Sequence, residues 1–494
     1  MRVSVRHPQV SVKLFKNVGR STLSGGVPVS ERFAGQRSEI DLAPFLGEFG
    51  SVSVTKSIRD PAGGFSVTLT DKISGRDQDT LYGLIEPMDL IEIRMAGNAY
   101  QYSQGSTLPI VMRGFVSDVS RNESMQSNGR PARRVTIRGQ DYGKIWQMMQ
   151  IFMLPSAPEG YNAITSFPFY ARFGLDFNTQ PVDQFVGQVF DRIVNPYIQE
   201  MAGQGTNDAA KTRLQTITKD IRASDGMVTP FAIGPWAGGS IYELLTQHCD
   251  IGPWNELYIE DRDAGPYVVY RPNPFMTADS KSFINKQRDD QEPQFVDITR
   301  SDIVSMDVKR TDANVANYYW VDNPRLFLNY DPSKLMSYTG SSESFFVRNY
   351  GNVNPKLYGT RKMDGHTQLG DVSERYNGNG TPAGSQRDVD ESAFISHVNA
   401  RRQQLIEQNK DNVVFEHGTM RLKGNERIGA GRYLRLAYGN MTSHYYCVSV
   451  THDFLPLQQF ATTVQFDRGT GFIDRAQKGG GSQSPYWSEL ADSQ

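Results

Sequence analysis

The chain has 494 residues, of which 38% are hydrophobic, and a formal net charge of −2. A chain this long exceeds what one hydrophobic core ordinarily holds, so about two to four domains are expected. The near-neutral balance excludes a polyanion binder as a whole, and two distant cysteines, Cys249 and Cys447, exclude a disulfide scaffold beyond a single bridge.

Glycine is frequent, at 45 residues, which suits a β-rich chain with many loops. Residues 3–14 read as a strand interrupted by His7-Pro8. Residues 19–37, rich in Gly, Ser and Arg, read as an irregular arm able to lie across a neighbouring subunit. Residues 49–58 and 65–70 alternate apolar and polar around the turn cluster Arg59–Gly64, which predicts a hairpin. Three more alternating segments follow, at 89–97, 110–119 and 133–139. Alternation with period two sends one set of side chains to a core and the other to water, so this stretch reads as a small β-barrel.

Asp141 stands where strand gives way to helix and is placed to cap the helix carrying Ile145, Trp146 and Met149. The most apolar run, Ile145–Leu154, contains two glutamines and is far shorter than the ~20 residues a bilayer requires, so it predicts a buried helix and no integral membrane segment. The N-terminal residues lack the pattern of an export signal. Val182, Phe185, Val186, Val189, Phe190 and Ile193 recur at helical spacing up to Asn195-Pro196, which ends or kinks that helix. Ser240-Ile-Tyr-Glu243 matches a capping box. Residues 256–260 and 267–270 flank Asp261–Pro266 as a hairpin. Further on, 303–308 and 318–321 read as the opening strands of a second barrel. Phe394, Val398, Arg401 and Leu405 share one face of a helix ending near Asn412.

The segments 432–439, 444–453 and 460–467 repeat the order of the first barrel: a strand into glycine, a long strand, then a strand into aspartate and glycine. Recurrence of pattern and order is the mark of a repeated unit. The expected correspondence pairs 89–97 with 432–439, 110–119 with 444–453, and 133–139 with 460–466. It matches Ile91 and Ile93 with Leu434 and Leu436, and Val135 and Ile137 with Val464 and Phe466. The fold class is therefore mainly β with an α+β insertion and two similar barrels. The expected domains are an arm and first barrel at 1–141, an α+β insertion at 142–300, and a second barrel from 301–321 and 413–475. A long polar excursion with a helix fills 322–412, and a flexible tail closes the chain at 476–494.

No catalytic, cofactor-binding or metal-ligating residue is assigned. His248-Cys249-Asp250 is the densest set of ligand types, but three adjacent residues do not face one ion without an unusual turn. Asp261 and Asp263 resemble the start of a calcium loop whose glycine and final glutamate are out of place. Glu243 has a capping role, His452 sits on a barrel strand, and no carboxylate pair stands out as acid and base. Residues 203–205 lack the Lys-Ser/Thr ending of a phosphate loop. Arg130, Arg133, Arg134 and Arg138 form a basic cluster, read as a solvated sheet face and not as a specific nucleic-acid site.

Several stretches together resemble the baseplate hub proteins of contractile-tailed bacteriophages and related contractile injection systems. They are Ser57–Thr70, Arg113-Gly-Phe-Val-Ser-Asp-Val119, Ile137-Arg-Gly-Gln-Asp-Tyr142, Trp254-Asn-Glu-Leu-Tyr-Ile259, Val269-Tyr-Arg-Pro-Asn-Pro274, Asp312–Val321 and Tyr446–Asp453. The resemblance covers most of residues 50–470 and rests on order and spacing. It implies two related barrels per chain and a homotrimer forming a pseudo-sixfold ring, a structural adaptor between the sixfold tail tube and the threefold central spike. Its implied partners are the spike protein, the tube or tube-initiator protein, and wedge proteins or the tape measure. Its implied location is the virion tail baseplate, assembled in the host cytoplasm. A tail-tip cell-wall-degrading enzyme needs an acid/base or metal site, and a host-surface binding protein needs an exposed receptor domain, which the excursion would have to supply.

Overall fold

The computed structural model describes residues 6–17, 39–71, 80–102, 107–125, 129, 131–152, 180–204, 213–222, 226–228, 238–286, 292–323, 345–369 and 384–477. The expected arm at 19–37 lies outside them, as do most of the closing tail and much of the excursion. The first seven strands are β1 (Gln9–Phe15), β2 (Glu39–Asp41), β3 (Ser51–Ser57), β4 (Gly64–Thr70), β5 (Leu90–Ala96), β6 (Ile110–Met125) and β7 (Pro131–Asp141). Their lateral order is β3-β4-β7-β6-β5-β1-β2, every neighbour antiparallel. Alternation sets the inner face: Phe65, Val67 and Leu69 of β4 join Ile91, Ile93, Val135 and Ile137 in one core.

The insertion follows. The Gly143–Met148 helix buries Ile145 and Trp146 completely, and the indole Nε1 donates to the Pro61 carbonyl at 2.7 Å. The helix is shorter than the apolar run that predicts it. It ends at Met149, whose extended backbone leads into β8 (Gln150–Phe152). Beyond β9 (Gln180–Pro181) come helices Val182–Val189 and Asn195–Gln204, joined by a π turn at Phe190–Val194. Pro196 lacks an N–H and crowds the carbonyl four residues back, and a π turn relieves that conflict without breaking the rod. Strands β10 (Thr218–Ile221), β11 (Met227–Val228) and β12 (Gly238–Ser240) precede the Ile241–His248 helix. The capping box stands as expected, with Glu243 N–H donating to Ser240 Oγ and Ser240 N–H to Glu243 Oε2. Next come β13 (Asn255–Arg262) and β14 (Gly265–Pro272), a tight hairpin in which Arg262 lies opposite Gly265.

The chain then returns to the main sheet with β15 (Phe295–Thr299) and β16 (Ile303–Lys309). The segment at 318–321, expected in the second barrel, instead forms β17 (Tyr318–Asp322) in a separate parallel pair with β18 (Lys362–His366). Its core joins Tyr319 and Val321 to Trp254 and to Val398 and Leu405 of the Gly384–Asn409 helix, so apolar alternation was satisfied by a helix and not by the main sheet. The chain closes through β19 (Glu416–Lys423), β20 (Tyr433–Tyr438), β21 (Met441–Leu455) and β22 (Gln459–Gly469). Their order is β16-β19-β22-β21-β20, again antiparallel throughout, with β15 parallel on the outer side of β20.

The strand order β3-β4-β7-β6-β5 in the first unit is thus the order β16-β19-β22-β21-β20 in the second. A β-bulge falls at the same place in each: between Val116 and Asp118 against Gly139 and Arg138, and between Cys447 and Ser449 against Phe466 and Gln465. Anchored on that bulge, Ile91 and Ile93 take the places of Leu434 and Leu436. Ile137 takes the place of Val464 and Gly139 that of Phe466, two residues from the correspondence read in the sequence. The long strands are offset by three, 113–122 standing with 444–453. The slip of two in β7 keeps every side chain on its face, so apolar alternation alone does not fix it, whereas the odd offset of the long strands exchanges the faces that the sequence correspondence matched.

Neither unit closes into a barrel. Among the described residues no strand pair joins the two ends of either unit, and both units belong to one 13-stranded sheet. The physical reason is β21. Its N-terminal half pairs with β20. Its C-terminal half pairs with β3, from Ser449 opposite Ser57 to Phe454 opposite Val52. The edge of β3 that would seal the first unit is spent on joining it to the second.

At Gly139 the bulge brings the Phe115 carbonyl oxygen to 2.1 Å from where a Cβ would stand, with the Phe65 ring at 2.4 Å. Gly139→Ala is expected to destabilise the fold by about 1–3 kcal/mol, since the obstacle is backbone that cannot rotate away. Denaturant unfolding of wild type and variant measures it.

Candidate functional site

The β13–β14 hairpin lies across the junction of the two units and is tied to both by charged side chains, most of them buried. At its tip, Arg113 of β6 donates to the carbonyls of Arg262 and Asp263 at 2.5 and 3.0 Å, and Arg94 of β5 reaches the Asp263 carboxylate at 3.0 Å. In the middle, Lys56 Nζ of β3 donates to Asp141 at 2.5 Å and Asp261 at 2.6 Å. Glu260 accepts from Arg432 at 2.8 Å and pairs with Arg262, which also reaches Asp220. At the base, Arg271 donates to Glu256 at 2.5 Å and to the Gly431 carbonyl at 2.8 Å, while the Tyr446 hydroxyl donates to the other Glu256 oxygen.

These groups shape each other's titration. Burial works against the Lys56 ammonium, but Asp141 and Asp261 outweigh it and hold its pKa above the ordinary lysine value. Burial pushes the Asp141 carboxyl up, and the neighbouring Asp261 charge adds to this against Lys56. Two carboxylates sharing one cation is the arrangement that keeps the lysine charged. Asp141 also accepts from the Gly143 amide at 2.8 Å, the first amide of the helix, as the sequence reading expects.

A cavity of about 60 Å³ sits within this junction, lined by Lys56, Glu260, Asp261, Glu426, Arg432 and His452 among others. It is far below the ~300 Å³ at which small-molecule sites begin. His452 is fully paired: Nδ1 stands 3.0 Å from Thr462 Oγ1 and Nε2 3.1 Å from the Ile428 carbonyl. A carbonyl only accepts, so Nε2 carries the proton, and burial lowers the imidazole pKa to about 4.

The other candidate residues go separate ways. Asp250, in the left-handed backbone region at φ 52°, accepts from Thr367 at 2.7 Å and from the Gln368 amide, and faces Arg401 at 3.2 Å. Cys249 is buried, and burial with the Asp250 charge pushes its thiol well up, away from a reactive thiolate. Among the described residues no three His, Cys, Asp or Glu side chains are placed to hold a metal ion. The Asp261 carboxylate accepts from Lys56, and Asp263 accepts from Arg94 at its carboxylate and from Arg113 at its backbone carbonyl. Arg133 meets Glu123 at 3.5 Å, Arg134 lies over the Phe49 ring, and Arg138 is exposed beside it on the same strand face. Arg130 and Gly205 fall outside the described residues. The junction itself was not legible as a site, because its charges come from strands far apart in the chain.

No protein-family model matches the sequence, and no curated protein matches it. Solved structures do resemble the fold. A tail protein from Neisseria meningitidis MC58 is 10% identical, with a TM-score of 0.44 over 93% of this chain and 96% of that one. The same figures hold for a prophage MuSo2 tail protein from Shewanella oneidensis. A prophage tail protein from Listeria monocytogenes EGD-e is 8% identical, with a TM-score of 0.39 over 92% of this chain and 94% of that one.

Lys56→Ala would leave Asp141 and Asp261 buried without their cation, so a loss of about 3–5 kcal/mol is expected in denaturant unfolding at neutral pH. The sign in pH follows from the raised lysine pKa. Its stabilisation is complete below the ordinary value of 10.5 and fades as pH climbs through the higher folded value, a fall that the variant should lack.

His452 gives the opposite window. From its ordinary 6.5 down to about 4 the unfolded chain takes up a proton that the folded chain refuses. Stability should therefore fall with pH over that range by roughly 1.4 kcal/mol per unit for this group. His397, lowered to about 3 by burial and then by Arg401, adds a similar slope. His452→Gln should roughly halve the combined slope of stability against pH.

Proposed function

We propose that this chain is a structural baseplate hub that adapts a sixfold tail tube to a threefold central spike. The observation that carries the reading is the repeated five-strand order with its matching bulge, two similar units in one chain. Such repetition is what an internal duplication leaves behind. Closed homo-oligomers repeat each contact once per subunit, so three identical single-unit chains offer three equal contacts. Three chains with two like units each offer six, which is what a sixfold partner needs. The buried hairpin supports the same reading, since it holds the two units in one fixed relation. The motif resemblance to contractile-tail hubs points the same way.

On this reading the chain forms a homotrimer, meets the tube or tube-initiator protein on one side and the spike on the other, and works in the virion tail baseplate. Wedge proteins or the tape measure are further partners. The chain carries no hydrolytic role. The charged groups of the junction are engaged with one another, and no carboxylate pair stands out as acid and base.

Light scattering of the purified chain, alone and with its spike, is expected to give three times the chain mass in at least one condition. A monomer in both overturns the hub reading. Incubation with purified peptidoglycan should give no turnover, and turnover abolished by one carboxylate substitution would reassign the chain as an enzyme.

A further inference from the structure

The contact that joins the two units inside the chain has a counterpart that the single chain leaves open. Aligning the units on their shared bulge places β16 where β3 stands, with Met306, Asp307, Val308 and Lys309 matching Val52, Ser53, Val54 and Thr55. It places residues 118–123 of β6 where 449–454 of β21 stand. Inside the chain, β3 and this half of β21 pair with each other. Their counterparts, β16 and the distal half of β6, have no strand on that side among the described residues.

Burial follows this difference. Val54 is 0% exposed beneath β21, whereas Val308 is 37% exposed and Val304 61%. His452 is buried, while Arg121 at the matching place is exposed, as are Ser120, Asn122 and Glu123 around it. Two open strand edges on one molecule, one of them bearing outward valines, are templates for pairing.

We propose that β16 of one chain pairs antiparallel with the distal half of β6 of a second copy, repeating between chains the β3–β21 contact made within each. The register follows from the internal pair: Asp307 opposite Asn122, Val308 opposite Arg121, and Lys309 opposite Ser120. The side-chain chemistry fits. Within the chain Ser53 donates to Asp453 at 2.7 Å. Between chains the roles are exchanged, Asn122 supplying the N–H and Asp307 the carboxylate. Thr55 and Thr451 share a hydrogen bond at 3.0 Å, and at the matching place Lys309 has donors for the Ser120 hydroxyl. Asp118 lies diagonal to Lys309 on the same face, an attractive cross-strand pair. The contact joins two different edges, so it is head-to-tail and generates a ring or a filament. Closure at three copies rests on the hub reading above.

The test is a full-length chain carrying Asn122→Cys and Asp307→Cys, oxidised gently and run without reductant. The internal counterparts of these residues touch, so disulfide-linked dimers and trimers are expected, reversed by reductant. Each single variant should stay uncross-linked, as should Arg121→Cys with Asp307→Cys, whose side chains face opposite sides. Cys249 and Cys447 are buried and do not contribute. Light scattering on the same sample separates the two readings. A trimer by mass without cross-linking overturns the strand pairing and leaves the hub reading standing. A monomer by mass overturns the pairing, and it overturns the hub reading as well if the chain stays a monomer with its spike. A disulfide closed within one chain, seen as a monomer band without the two new thiols, also overturns the pairing.

Discussion

The pairing of β3 with the far half of β21 is the constraint on which the rest of the molecule depends. Backbone N–H and C=O groups must find partners, and a strand edge is satisfied only by another strand. The β21 strand is long enough to carry β20 on its first half and β3 on its second. That double use turns two units into one sheet, leaves neither as a closed barrel, and sets their relation with the register of a ladder. A one-residue slip there would turn Val52 and Val54 out of the core, so the register is firmly specified.

The hairpin of the insertion then locks what the ladder sets. Its carboxylates meet Lys56 from the first unit and Arg432 from the second, and its Glu256–Arg271 pair receives Tyr446. Buried ion pairs add little net stability, because taking each charge out of water costs several kcal/mol before the attraction offsets it. Their effect is on specificity. A misplaced hairpin would bury several uncompensated charges at once, so one docking geometry is much better than its neighbours.

The potentially reactive groups near the centre are quieted by the same packing. His452 is neutral with both ring nitrogens paired, Cys249 is held as a thiol, and Asp250 is tied to Thr367, Gln368 and Arg401. Each is a polar group that the fold had to satisfy once it was buried. Their burial is a consequence of joining sheet, hairpin and excursion around a small core, and their chemistry is spent inside the protein.

Local pattern in the sequence determined most of the strands, because alternation at period two, turn clusters such as Arg59–Gly64 and the Ser240–Glu243 capping box are physical instructions read within a few residues. It also determined that Ile91 and Ile93 stand where Leu434 and Leu436 stand. It did not determine which strand would lie beside which. The segment 318–321 had the pattern of a barrel strand and paired with Lys362–His366, since any alternating segment satisfies whichever apolar surface and free edge it meets. It did not determine the two-residue offset of β7 against β22, because that slip preserves every face. Only tertiary structure decided that the units share one open sheet, and that Lys56, Asp141 and Asp261, from three distant strands, meet at one point. Strand partners and buried ion pairs are long-range choices settled by the best simultaneous satisfaction of backbone edges and charges, and no local window of sequence contains that balance.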